Sequence, residues 1–193
     1  ILSVTPYYNK PSQEGLYQHF RTVSEHSPLP VILYNIPGRS GVNMTAETTL
    51  RLARGMKNVI GIKEASGDIE QMQHILDRRP EGFIVLSGDD GMTLDLMRRG
   101  GEGVISVAAN VFPKRFMQCV GHAKQGDFDR AEEEYRALDE AVHALFEEGN
   151  PVGAKCALSV MGKIGPTMRL PLVEGSQALR EKFSRLIAEY DLR

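Results

Sequence analysis

The sequence predicts an α/β protein built from consecutive βα units and finished by an all-helical tail. Three observations predict it. Five short apolar runs rich in β-branched residues occur at 1–5, 31–35, 59–63, 83–87 and 104–107. They recur about every 20 to 30 residues, the length of one βα unit. The stretches between them carry helical periodicity, and after the last run only helical patterns follow. The runs lack polar alternation, which suits parallel strands covered on both faces. Two architectures fit this order: an open doubly wound sheet, or a (β/α)8 barrel reduced to five units. The barrel is favoured because no glycine-rich dinucleotide fingerprint follows any strand. Gly100-Gly101-Glu102-Gly103 precedes a strand, so it reads as a turn out of a helix.

The elements follow in order. After the first run, Pro11-Ser12 opens a helix with Leu16, Phe20 and Val23 on one stripe. The second run ends in Tyr34-Asn35 and leads to Pro37-Gly38-Arg39-Ser40-Gly41. Thr45 then starts a helix bearing Leu50 and Ala53. The third run ends in Lys63-Glu64. Asp68 with Gln71 resembles a capping box for a helix carrying Met72, Ile75 and Leu76. Ser87-Gly88-Asp89-Asp90 follows the fourth run, with a helix expected over 92–99. Phe128, Ala131, Tyr135, Leu138, Val142 and Leu145 recur at helical spacing in the tail. Asn150-Pro151 reads as an N-cap with proline in the first turn, and a last helix is expected over 176–190. The division this suggests is a barrel portion at 1–125 and a helical domain at 126–193.

Bulk properties exclude several classes. The 193 residues are 41% hydrophobic and 25% charged, ordinary globular usage, with a net charge of −2. That charge gives no reason to expect nucleic acid or an anionic membrane as partner. No apolar run approaches the ~20 residues of a membrane-spanning helix. The first residues lack a starting Met and the layout of a signal peptide, so the chain reads as entered on a strand inside a longer protein. Cys119 and Cys156 stand far apart in helical stretches and read as small buried residues of a reducing cytosol. His19, His26, His74, His122 and His143 all fall in predicted helices. None stands at a strand end, where parallel α/β proteins place their chemistry.

Lys63 stands at such an end. Burial there disfavours the ammonium and frees an amine able to attack a ketone and form an imine. The plainer alternative is a lysine reaching the rim or pairing with Glu64. Tyr34 has a phenol that can donate and accept protons. Arg39, in its Gly-flanked loop, has the bidentate fork that suits a carboxylate. Taken singly, a lining tyrosine and a solvated arginine are the plainer readings. Asp89-Asp90 has no third acidic or His partner at metal-ligand spacing, so helix capping is the better account of it.

Together these stretches resemble a known family. Thr5-Pro6-Tyr7-Tyr8-Asn9-Lys10-Pro11, Leu33-Tyr34-Asn35-Ile36-Pro37-Gly38-Arg39, Gly61-Ile62-Lys63-Glu64-Ala65, Ser87-Gly88-Asp89-Asp90 and Gly103-Val104-Ile105-Ser106 are similar to dihydrodipicolinate synthases, in family order. These belong to the pyruvate-dependent class I aldolases. The resemblance implies a TIM barrel represented by its strands 4 to 8 with a C-terminal helical extension. It implies a cytoplasmic lyase of lysine biosynthesis that joins pyruvate to L-aspartate 4-semialdehyde, with no cofactor and no metal. Lys63 would form the Schiff base, Tyr34 and Tyr8 would relay protons, and Arg39 would hold the semialdehyde carboxylate. Gly88 and Ile105 would line the pyruvate pocket through their backbones. Tyr8 would act across a dimer interface, and Tyr7 would lie near a lysine effector site. The full-length enzyme would be a homotetramer, a dimer of dimers. The family's first three units are not in this sequence, so little or no activity is expected of this chain alone. A sister lyase acting on N-acetylneuraminate or 2-keto-3-deoxygluconate would share Lys63 and Tyr34, but not the Pro-Gly-Arg-Ser-Gly loop.

Overall fold

The computed structural model describes residues 1–192. The chain forms two compact units, Ile1–Ile105 and Ser106–Arg193. The first carries the sheet. Strands β1 (Leu2–Val4), β2 (Val31–Asn35), β3 (Val59–Glu64), β4 (Ile84–Ser87) and β5 (Gly103–Val104) pair in parallel in the order β1-β2-β3-β4-β5. Sequential neighbours, all parallel, require a crossover on each connection. These are α1 (Gln13–His26), α2 (Pro37–Ser40) with α3 (Ala46–Gly55), α4 (Ile69–Arg78) and α5 (Thr93–Arg98).

The expected start signals act locally. Ser12 Oγ accepts from Gly15 N at 3.2 Å, Thr45 Oγ1 from Thr48 N at 3.3 Å, and Asp68 Oδ1 from Glu70 N and Gln71 N at 3.1 and 3.0 Å. The capping box at Asp68 is only half made, because the Gln71 side chain turns inward to Glu64 instead. Leu16 and Phe20 of α1, Leu50 and Leu52 of α3, and Met72 and Ile75 of α4 pack on Val31, Leu33, Val59, Ile62 and Val85 of the sheet.

The sheet's two faces differ, which corrects the expectation of strands covered equally on both sides. In β2 the residues alternate, Val31, Leu33 and Asn35 fully buried and Ile32 and Tyr34 partly exposed. Helices cover the first face; the second is the concave face on which a barrel places its interior. Two predicted strands are also shorter. The first spans three residues and the last only Gly103–Val104, although Thr5 N and Ile105 N continue the ladder to Tyr34 O and Ser87 O at 3.0 and 2.9 Å.

The second unit is helical: α6 (Ala108–Val111), α7 (Pro113–Lys124), α8 (Phe128–Arg136), α9 (Asp139–Glu147), α10 (Val152–Val160) and α11 (Gln177–Glu189). The helical stripe of 128–145 is split into α8 and α9. Ser176 caps α11, its Oγ accepting from Leu179 N at 3.1 Å. Asn150 is not the cap of α10: Pro151 takes that position at φ −97°, without a side-chain bond, and the helix begins at Val152. Residues 106–125, grouped with the barrel on sequence pattern, lie by compactness in this unit, where α7 packs on α8.

Candidate functional site

The carboxyl ends of β2, β3 and β4 bring most of the singled-out residues together. Tyr34 pairs in register with Lys63, and Lys63 with Leu86. The Lys63 ammonium nitrogen lies 4.2 Å from the centroid of the Tyr34 ring. This pairing depends on an irregularity. Val31 is opposite Val59, but Ile32 is opposite Gly61, so Ile60 is left out of the register. A slip of one residue exchanges the faces of a strand. Without it Tyr34 would oppose Ile62, and Lys63 would point among the helices.

Gly61 and Gly88 make close approaches that a side chain would block. A Cβ on Gly61 would stand 2.3 Å from Ile84 Cγ1 and 2.7 Å from its carbonyl oxygen. At Gly88 it would stand 2.6 Å from Ala65 Cβ and 3.0 Å from Lys63 Cε. Gly88 N donates to Glu64 O at 2.7 Å, which holds the Ser87-Gly88 turn against the lysine's side-chain stem.

Burial holds the Lys63 amine below the ordinary lysine range; the Asp90 carboxylate opposes this and the Arg39 guanidinium adds to it. Burial raises the Tyr34 phenol, with Arg39 acting the other way, so at neutral pH the phenol is protonated. Arg39 sits exposed in the short helix α2, whose end is turned by Gly41 at φ 76°. Its charge is felt by both Tyr34 and Lys63. The cluster therefore has an amine that reaches the neutral state more readily than an ordinary lysine, a phenol able to pass a proton and a cation beside them. An amine in that state can add to a carbonyl.

Two buried acids next to this cluster are not legible in the sequence. Asp90 is 1% exposed and acts on Lys63. The capping account of Asp89-Asp90 is corrected: Asp89 Oδ1 accepts from Gly91 N at 2.8 Å in the turn, while α5 begins with Met92 as N-cap and no side-chain bond. The only signal for Asp90 in the sequence is its place just after a strand end, which helix capping fits equally well. Glu64, fully buried behind Lys63, is the other. It does not pair with the lysine.

Tyr7 and Tyr8 are not drawn in. They are 70% and 91% exposed, and among the described residues neither hydrogen-bonds Tyr34 or Lys63. Tyr8 adopts a left-handed φ of 73°. Ile105 is tied by its N–H to Ser87 O. Among the described residues no three His, Cys, Asp or Glu gather as a metal site would require. Both cysteines are free and buried, and burial pushes the Cys119 thiol up to about 11. A cavity of about 510 Å³ exists in the second unit between α7 and α10, lined by Phe112, Lys114, Arg115, Leu158 and Lys163. It holds none of the strand-end groups.

Comparison with known proteins decides the family. The model of the dihydrodipicolinate synthetase family matches residues 1–190. The chain belongs to that family. The 4-hydroxy-tetrahydrodipicolinate synthase of Parabacteroides distasonis is 50% identical over 193 residues, all of this chain and 65% of that protein. Among solved structures, a monomeric dihydrodipicolinate synthase variant superposes with a TM-score of 0.97 at 43% identity, over 100% of this chain and 65% of that one. The chloride-inhibited synthase of Acinetobacter baumannii in complex with pyruvate gives 0.95 at 40%, over 100% and 66%. This chain thus spans about 65% of the length of the family members it matches. Its five parallel strands are a portion of the family's (β/α)8 barrel.

Proposed function

We propose that the protein is a 4-hydroxy-tetrahydrodipicolinate synthase acting through an imine on Lys63. The observation that carries the reading is the partly buried Lys63 amine, held below its ordinary range and stacked over the Tyr34 ring at the end of a barrel strand. The neutral amine adds to the ketone of pyruvate and water leaves, giving the imine. Loss of a methyl proton gives an enamine, whose carbon attacks the aldehyde of L-aspartate 4-semialdehyde. The semialdehyde's own amine then displaces Lys63 by transimination and closes the ring.

Tyr34, protonated and adjacent, passes the protons that these steps release and consume. Arg39 holds the semialdehyde carboxylate at the mouth of the site, and the backbones of Gly88 and Ile105 flank pyruvate. Tyr8 acts across an interface between copies, completing the proton relay of its neighbour, which accords with its exposure in one chain. Tyr7 lies near an effector site at the same interface. The assembled enzyme is a cytoplasmic homotetramer.

Incubation with pyruvate and borohydride, followed by mass spectrometry, tests the imine. A reduced adduct mapped to Lys63 and lost in Lys63→Ala is the expected result. An adduct elsewhere, or none even in a protein extended to the relatives' length, overturns the proposal. Pyruvate adducts are common to sister lyases, so condensation with L-aspartate 4-semialdehyde fixes the second substrate.

A further inference from the structure

Behind the Lys63–Tyr34 pair, on the helix side of the sheet, lies a polar network that imine chemistry does not itself call for. Its centre is Glu64, the last residue of β3, 0% exposed. Side chains alternate along a strand, so Glu64 points away from the face that carries Lys63. It pairs in register with Asn35, as Lys63 pairs with Tyr34. Asn35 Nδ2 donates to both carboxylate oxygens at 3.1 Å. Ser66 N donates to Oε1 at 2.8 Å, and Gln71 Nε2, from the first turns of α4, to Oε2 at 3.1 Å. Asn35 Oδ1 accepts from Met44 N at 2.9 Å, and Asn43 Nδ2 donates to Gln71 Oε1 at 2.8 Å, so the loop ahead of α3 is tied in as well.

The donors from Asn35, Ser66 and Gln71 are all neutral, and among the described residues no Lys, Arg or His pairs with this carboxylate. Burial raises its pKa, while the bonds from Asn35, Ser66 and Gln71 pull it back. An apolar side chain would fill this place at less desolvation cost. What the carboxylate adds is geometric: it accepts from β2, from the turn after β3 and from α4 at once. The backbone completes the tie, with Ala65 N bonded to Asn35 O at 2.9 Å and Gly88 N to Glu64 O at 2.7 Å. The charges that act on the Lys63 amine are Asp90 and Arg39, and Glu64 is not among them. Its influence on Lys63 therefore runs through the backbone.

We propose that Glu64 is a positioning residue: its buried carboxylate clamps the ends of β2 and β3 and the start of α4, and so holds the Lys63 amine in register over Tyr34. The inference rests on the imine reading for its catalytic meaning, and on geometry alone for the clamp.

The test compares the protein with Glu64→Leu and Glu64→Gln by two measurements. Hydrogen exchange at the Ala65 and Gly88 amides reads the clamp without pyruvate. The rate of borohydride-trapped pyruvate adduct across pH reads its consequence. In Glu64→Leu both amides exchange at least about tenfold faster, and adduct forms at least about tenfold more slowly with the pH midpoint unmoved, since small misplacements of reacting groups cost rates of that order. Glu64→Gln keeps an acceptor for Asn35 and Ser66 and recovers most of both losses. Unchanged exchange and trapping in a folded Glu64→Leu overturn the proposal, as does a loss accounted for wholly by a moved pH midpoint. If the unsubstituted protein yields no adduct even when extended to the relatives' length, the imine reading falls, and exchange alone then decides the clamp: faster supports it, unchanged overturns it. Should Glu64→Leu fail to fold, Gln71→Leu removes one arm and is held to the same outcomes, with smaller changes.

Discussion

Lys63 carries two opposed electrostatic influences, and their signs give a prediction at the scale of the residue. Asp90 favours the ammonium and Arg39 disfavours it. Imine formation needs the neutral amine, so adduct yield rises with pH through the amine's pKa, and its midpoint falls below the 10.5 of an ordinary lysine. Asp90→Asn removes the stabilising charge and moves that midpoint down; Arg39→Ala moves it up. Trapping at a series of pH values checks both, and shifts in the same direction would contradict the assignment. Gly88 sets a steric limit beside them. Gly88→Ala places a Cβ 3.0 Å from Lys63 Cε and 2.6 Å from Ala65 Cβ. Overpacking of this kind costs about 1–3 kcal/mol, and the displaced lysine traps at least about tenfold less pyruvate.

Glu64 makes the same kind of statement about stability. Its folded pKa is raised above 4.5. A group raised in this way stabilises the fold fully below its unfolded pKa, and the contribution is lost as pH rises through the folded value. The stability difference between the protein and Glu64→Gln therefore changes in the protein's disfavour as pH climbs from about 4.5 toward neutrality, because only the carboxylic acid titrates. Chemical denaturation of both across that range measures it, and a pH-independent difference would remove the linkage.

At the scale of the element, α4 and the bulge in β3 matter most. Asp68 satisfies two amides at the start of α4, so Asp68→Ala costs about 1 kcal/mol in urea denaturation. The same helix delivers Gln71 to Glu64, so fraying its first turn also speeds exchange at Ala65 and Gly88. Gly61 sits where the register of β2 on β3 resumes, with Ile84 too close for any side chain. Gly61→Ala is expected to destabilise by about 1–3 kcal/mol. A local change of register would in addition rotate Lys63 away from Tyr34, which loss of adduct beyond the loss of folded protein would reveal.

At the scale of the whole molecule, what matters is closure. A five-strand portion of a barrel has two edges and a concave face that neighbouring strands would otherwise cover. Leu2 and Val4 at one edge are 46% and 38% exposed, and Ile60 is 37% exposed. This chain alone is expected to trap pyruvate at least about tenfold more slowly than a protein extended to the relatives' length, because reacting groups need a rigid surround. Equal trapping by the two would show that strands β1 to β5 suffice. Sedimentation of the extended protein decides its assembly, since a family structure of a monomeric variant already shares this fold.

The sequence by itself determined the order of βα units, most helix starts and the strand-end positions of Lys63 and Tyr34, with Arg39 in the segment that follows β2. These follow from short-range chemistry: apolar runs of strand length, start signals at Ser12, Thr45 and Asp68, and the rule that parallel strands present function at their carboxyl ends. It did not determine that Tyr34 faces Lys63, because that rests on one residue omitted from the pairing near Ile60, a decision made between strands. Nor did it show Asp90 turned onto the lysine or Glu64 buried among Asn35, Ser66 and Gln71. Asp and Glu look alike in sequence whether they cap a helix, face water or stand buried. Only the tertiary structure decides between these, because burial and neighbours, not residue type, set what a carboxylate does.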